Sequence, residues 1–139
     1  MKIKMYEQLP EDVKYIRRKV FIEEQGFKNE FDDIDSMCTH ILIYDSANPV
    51  ATCRFYYNNK RQSYVIGRIA VLKEFRGKDY GAELLKVAEN EITKKQGNII
   101  ELSAQVRVTA FYKRNGYVTL DEVHNDEGCP HVWMRKEFR

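Results

Sequence analysis

Six consecutive residues, Arg76-Gly77-Lys78-Asp79-Tyr80-Gly81, set two glycines and two cations between an apolar, strand-like run and the start of a helical pattern. The first N–H groups of a helix have no partner inside the helix, and the aligned peptide dipoles add partial positive charge there. A phosphate or pyrophosphate suits such a turn, because glycine lets it approach the backbone closely. Arg76 and Lys78 add side-chain charge. The same residues also describe a tight turn of solvated charge, and the turn alone does not choose between these readings. A nucleotide P-loop is excluded, because no Gly-Lys-Ser/Thr follows at the required spacing, and the dinucleotide pattern Gly-x-Gly-x-x-Gly is absent.

Other reactive side chains are scattered. Arg54 and Arg68 fall inside strand-like runs, where Arg54 either meets an anionic substrate group or forms a buried ion pair with the Asp32 to Asp35 segment. The acidic segment itself either attracts a cationic amine or is a solvated loop. Cys38, Cys53 and Cys129 are three, without a Cys-x-x-Cys pair, so neither a disulfide framework nor a metal site is expected. Nothing near Cys129 indicates thiolate activation.

The elements that must position these groups follow from the pattern. The 139 residues suit one domain, residues 1–139. A hydrophobic share of 43% with 32% charged residues excludes disorder and a membrane-spanning chain, and a net charge of +2 gives no nucleic-acid surface. The start, Met1-Lys2-Ile3-Lys4, is unlike a signal peptide, and with reduced cysteines the expected location is cytoplasmic. Residues 2–6 read as a strand. Pro10 opens a helix whose apolar face is Val13, Ile16, Val20 and Phe21, and Gly26 ends it. Residues 29–35 read as a loop or short helical turn. Residues 40–45 and 50–57 read as a hairpin around Ser46-Ala47-Asn48-Pro49, and residues 64–72 as a central strand. A helix follows with the stripe Gly81, Leu84, Leu85, Ala88 and Ile92, stopped by Gly97. Residues 99–104 form a strand, residues 109–115 a short helix, and residues 117–123 and 131–136 the closing strands. The strand–helix–strand crossover over residues 64–104 requires parallel pairing there. The expected fold class is therefore α/β (α+β), a mixed central sheet with helices on both faces.

The turn resembles the signature of the GNAT acetyltransferases, Arg/Gln-x-x-Gly-x-Gly/Ala, with Arg76 first, Gly81 last and Asp79 where the family usually has glycine. Ala110-Phe111-Tyr112-Lys113-Arg114-Asn115-Gly116-Tyr117 resembles a second family segment, and Gln105 stands where the family often carries Asn. The order of elements is also that of the GNAT fold. Val20-Phe21-Ile22-Glu23-Glu24-Gln25, Thr39-His40, Gly67-Arg68, Ala104-Gln105 and Gly128-Cys129-Pro130-His131 resemble the ElaA-like branch of small bacterial GNAT proteins.

The resemblance implies an acetyl-CoA-dependent N-acetyltransferase acting on a primary amine of a small molecule by direct attack, with no metal. It implies that the backbone of Ile69, Ala70 and Val71 polarises the thioester and pairs with pantetheine amides. The turn Arg76, Gly77, Lys78, Asp79, Tyr80 and Gly81 would hold the diphosphate, and Gln105 would bind pantetheine. Tyr112 would be the general acid for the CoA thiolate. The substrate ammonium must lose a proton to Glu24, His40, Glu122, His124 or His131, with Glu24 and His131 favoured. Asp79 is electrostatically unfavourable beside a pyrophosphate unless its carboxylate turns away to cap the helix. A non-catalytic acyl-CoA-binding sensor or interaction module on the same fold is the alternative. Partners are acetyl-CoA and a small amine, without nucleic acid or membrane, in a monomer or homodimer.

Overall fold

The computed structural model describes residues 1–138, apart from the side chains of Asp121 and Glu122. Glu122, one of the candidate proton acceptors, therefore lies outside the described residues.

Strand β1 (Lys2–Tyr6) leads to helix α1 (Glu11–Arg17), which Pro10 enters from extended backbone with Glu11 and Asp12 in the first turn. Proline suits this place because its missing N–H would have no helical partner. The helix continues as a π-helical stretch, Arg18–Glu24, and Gly26 ends it at φ 80°. The acidic segment folds into a 3-10 turn, Asp33–Met37. Strands β2 (Thr39–Asp45) and β3 (Asn48–Asn58) form the hairpin. Its turn is tighter than the four residues expected: Asn48 and Pro49 pair with Asp45 and Tyr44, leaving Ser46 and Ala47 as the loop. A register shift between Ile43 and Tyr44 accommodates Pro49 there.

Strand β4 (Ser63–Val71) runs into a 3-10 turn (Lys73–Phe75) and helix α2 (Tyr80–Lys94). Strand β5 (Ile99–Gln105), a 3-10 turn (Val106–Val108), helix α3 (Thr109–Arg114) and strands β6 (Val118–Asp126) and β7 (Cys129–Glu137) complete the described chain. The stop of α2 differs from expectation in its cause. Gln96 takes the left-handed conformation (φ 65°), while Gly97 donates its N–H to Ile92 O at 3.0 Å. A Cβ on Gly97 would lie 2.6 Å from Ile92 Cγ2 and 2.7 Å from the Tyr64 ring, so glycine is required for close approach.

One seven-stranded sheet has the order β1-β2-β3-β4-β5-β7-β6. Alternation along the strands divides the apolar residues between its faces. Ile41, Ile43, Cys53, Phe55, Ile66 and Leu102 pack with Leu84, Leu85, Ala88 and Ile92 of α2 and with Tyr112. Leu42, Ala70 and Leu72 pack with Val13, Ile16, Val20 and Phe21 on the other face. Helices on both faces of a mixed sheet make this the expected α/β architecture.

Strand β4 is irregular along both edges. Its parallel pairing with β5 extends only over Tyr64 with Ile100 and Val65 with Glu101, whereas β5 pairs with β7 from end to end. From Ile66 onward β4 and β5 separate. On its other edge, pairing with β3 shifts register between Thr52 and Arg54, opposite Arg68, whose φ of 50° marks a bulge.

Candidate active site

The separation of β4 from β5 opens a cleft of about 560 Å³, lined also by the α2 entry turn, the π-helical stretch and the β6–β7 turn. Ile69, Ala70 and Val71 line it, and β5 offers their backbone no pairing partner.

At the turn, Arg76, Gly77, Asp79, Tyr80 and Gly81 line the cleft, and Lys78 does not; its Nζ lies 5.4 Å from the Phe75 ring centre. Gly77 and Asp79 both have left-handed backbone, at φ 81° and 65°. A capping carboxylate normally reaches the first helical N–H groups from extended backbone. Asp79 is left-handed and makes no side-chain cap, which corrects the idea that it turns away as a cap. Gly81 has a different reason to be glycine: a Cβ there would lie 3.1 Å from Phe111 Cζ on α3. Tyr80 fastens the turn to β2 by donating its hydroxyl to Asp45 at 2.7 Å.

Arg76 is engaged. Its Nε donates to Val71 O at 3.0 Å, and its two terminal nitrogens grip both oxygens of Glu24 at 2.7 Å each. This two-pronged bond holds the Glu24 carboxyl below its ordinary range. Glu24 lines the cleft as expected, but a carboxylate so occupied is a poor proton acceptor, and its place as a base is corrected accordingly. The sequence shows Glu24 at a helix end and cannot show that the chain returns Arg76 to it 52 residues later.

Gln105 donates from Nε2 to Gln25 at 2.9 Å and accepts from Arg107 at 2.9 Å. Tyr112 is buried, and desolvation pushes its hydroxyl well above the ordinary tyrosine range. Among the described residues no group hydrogen-bonds that hydroxyl, while the ring packs edge-on against Phe111 and Tyr117. His131 also lines the cleft. Its Nδ1 lies 2.9 Å from Cys129 O, and a carbonyl only accepts, so Nδ1 carries the hydrogen and Nε2 the lone pair. His40 does not reach the cleft: it is fully buried, donates from Nε2 to Asp35 O, and is held below the ordinary histidine range by desolvation. His124 bonds Ser103 at 3.1 Å and does not line the cleft.

A charge network, of which the sequence suggests only the pairing of Arg54 with the Asp32 to Asp35 segment, braces one side of the cleft. Arg17, Arg54 and Arg68 face Glu30, Asp32 and Asp35, three cations against three anions. Arg17 reaches Glu30 at 2.8 Å and Asp35 at 2.8 Å. Arg54 holds Asp32 at 2.7 Å and Asp35 at 2.8 Å, so it forms the internal ion pair and is not a receptor for an anionic substrate. Within the acidic segment Asp32 and Asp35 are accordingly internal counter-charge, while Asp33 is exposed. Burial opposes ionisation of Asp35, yet hydrogen bonds from Arg17 and Arg54 prevail and hold it at about 2. Arg17 had a faint signal, lying on the same helical stripe as Val13 and Val20. Glu30 had none.

The family described as an acetyltransferase (GNAT) domain matches residues 8–138, and the chain belongs to it. It falls on the ElaA-like branch: Escherichia coli ElaA is 29% identical over 127 residues, covering 88% of this chain and 83% of that one. The crystal structure of E. coli ElaA superposes with a TM-score of 0.85 at 25% identity, over 99% and 100% of the two chains. The uncharacterized N-acetyltransferase YjcF of Bacillus subtilis is 33% identical over 130 residues, 91% of each chain. An acyl-CoA N-acyltransferase from Pseudomonas aeruginosa superposes with a TM-score of 0.82 at 25% identity, over 97% and 98% of the chains. The protein is thus an acyltransferase enzyme of the GNAT type.

Proposed function

We propose that this protein transfers the acetyl group of acetyl-CoA to a primary amine of a small molecule by direct attack. The observation that carries this reading is the unpaired edge of β4 from Ile66 to Val71, which faces the cleft together with an uncapped helix start. Unpaired backbone of a central strand is costly unless a ligand or water satisfies it. An extended pantetheine chain with two amides satisfies it as an added strand would.

In this reading the N–H groups of Ile69, Ala70 and Val71 hold the pantetheine amides and the thioester oxygen, whose negative charge grows as the amine attacks. The turn from Arg76 to Gly81 takes the diphosphate on the first N–H groups of α2. Lys78, exposed beside it, adds charge, and Arg76 joins after leaving Glu24. Gln105 supports the pantetheine arm near the acceptor end. Tyr112 protonates the departing thiolate: it lines the cleft, and its hydroxyl, protonated at physiological pH as any phenol is, has no competing hydrogen bond among the described residues. His131, with its Nε2 lone pair free, takes the amine's proton, while Glu24 holds Arg76 until the diphosphate takes it. The enzyme works in the cytoplasm, consistent with three free cysteines, without nucleic acid or membrane, as a monomer or homodimer; among the described residues no helix is long and apolar enough to cross a membrane.

The test is incubation with acetyl-CoA and a mixed panel of amines, with free thiol as the readout. Thiol release that depends on amine supports the transferase. Tight CoA binding with no turnover on any amine would support the acyl-CoA-binding module, the reading that the Asp79 carboxylate beside the turn favours.

A further inference from the structure

One carboxylate in the cleft has no role in the transferase chemistry assigned so far. Glu30 is 4% exposed, lines the cleft, and lies outside the segments that carry the family resemblance. Its Oε2 accepts from Arg17 Nε at 2.8 Å and lies 2.9 Å from Arg68 Nε in an ion pair. Its main-chain oxygen accepts from the same two guanidinium groups, at 2.9 Å from Arg17 and at 3.0 and 3.1 Å from Arg68. The carboxylate is therefore firmly fixed. Its other oxygen, Oε1, receives no hydrogen bond from any described residue. Nor is Oε1 sealed away, since the sealed and unpartnered polar side-chain atoms among the described residues are His40 Nδ1 and Arg54 Nε.

Arg68 ties this carboxylate to the reacting strand. The bulge in β4 falls at Arg68, one residue before Ile69, and its left-handed backbone turns the side chain back onto residue 30. Glu30 is thus held beside the strand segment that receives the thioester.

We propose that Glu30 binds the acceptor: its Oε1 accepts a hydrogen bond from the substrate's ammonium group and holds the nitrogen beside the thioester carbon. This assignment rests on the transferase reading. Burial raises the Glu30 carboxyl above its ordinary range, and the Arg68 and Arg17 charges partly offset that. Such a desolvated carboxylate gains from a cationic partner. Glu127 is held by the backbone N–H groups of Lys28 and Asn29 at 2.9 and 3.1 Å, with the Lys28 and Arg68 charges acting on it, and Asp126 and Arg107 also line the cleft. Arg17, Arg54 and Arg68 are already matched by Glu30, Asp32 and Asp35, so an ammonium on Oε1 meets no unmatched cation of that network.

The proton inventory closes. The ammonium, held by Glu30, passes one proton to His131 Nε2. The freed lone pair forms the C–N bond and the C–S bond breaks. The thiolate takes a proton from Tyr112, which is replenished through water by the second proton leaving nitrogen. One proton is released per turnover, from His131 to solvent. The acceptor class that fits is an amine with no carboxylate beside its nitrogen, such as an alkylamine or amino sugar. An α-amino acid would set its carboxylate against Glu30.

The experiment is steady-state kinetics of Glu30→Gln with a primary alkylamine and the α-amino acid of matching length, using thiol release. The expected result is a rise in KM for the alkylamine of roughly 10- to 100-fold, the worth of a hydrogen bond to a charged group, with KM for acetyl-CoA unchanged. The wild-type enzyme should prefer the alkylamine. Because Glu30 also braces Arg17 and Arg68, Glu30→Asp is measured alongside; it keeps the charge but withdraws the oxygen, and should raise the amine KM by roughly 10-fold. A wild type that turns over while both variants keep its amine KM overturns the acceptor site and leaves the transferase standing. A wild type that releases no thiol with any amine overturns the transferase reading itself.

Discussion

Tyr112 and Asp79 show how much a single side chain contributes and how differently. The Tyr112 hydroxyl makes no hydrogen bond to the described residues, so Tyr112→Phe should fold and bind CoA as the wild type does. If the hydroxyl is the general acid, kcat should fall by roughly 100-fold or more, read by thiol release. Asp79 sits in left-handed backbone, where a non-glycine residue carries a cost of about 1 kcal/mol, and puts a negative charge beside an anion site. Asp79→Gly should tighten CoA binding several-fold by calorimetry. Its melting temperature should stay close, since relief of strain and the greater freedom of glycine in the unfolded chain offset each other. A loss of affinity would mean that the carboxylate organises the turn. Glu24→Gln releases Arg76 and should also tighten CoA binding, most visibly at low salt. The pair is substantially exposed, so stability should change by about 1 kcal/mol or less.

Elements convert these side chains into a site. The π-helical end of the first helix carries Glu24 and Gln25 to the cleft, the bulge in β4 aims Arg68 at Glu30, and the early parting of β4 and β5 creates the open edge. Close contact between α2, β4 and the loop after α2 depends on Gly97. Gly97→Ala should destabilise the fold by about 1–3 kcal/mol in denaturant unfolding, because Ile92 and the Tyr64 ring would have to move. Positions of strands and helices were legible from apolar periodicity to within about three residues, β6 running on to Asp126 where the pattern ends at Val123, and the parallel crossover followed from chirality and connection length. The splay was not legible. Val65 and Val71 look alike in sequence, yet one has a partner on β5 and the other does not.

For the whole molecule, the buried charges join α1, the 27–37 segment, β3 and β4 into one block. Asp35 titrates near 2, below its ordinary value of 3.8, so the folded state favours its ionised form. That contribution, about 2 kcal/mol, is fully present above pH 4 and is lost as pH falls from about 4 through 2. Thermal melts from pH 6 to pH 2 should show a steep loss in this window, and Asp35→Asn should flatten it.

Ligand and fold meet at the same scale: if CoA binds only the folded chain, saturating CoA must raise the melting temperature, and no rise would count against both functional readings. Local pattern by itself determined the α/β class, the order of elements, the anion-suited turn and the likeness that implied Tyr112, because these depend on periodicity and contiguous motifs. Only the tertiary structure decided that Arg76 is held by Glu24, that Arg54 is an internal ion pair, that His40 is shut in the core, and that Glu30 faces the cleft. Those facts depend on which side chains from distant segments meet, and a partner 13 to 52 residues away leaves no mark on local spacing.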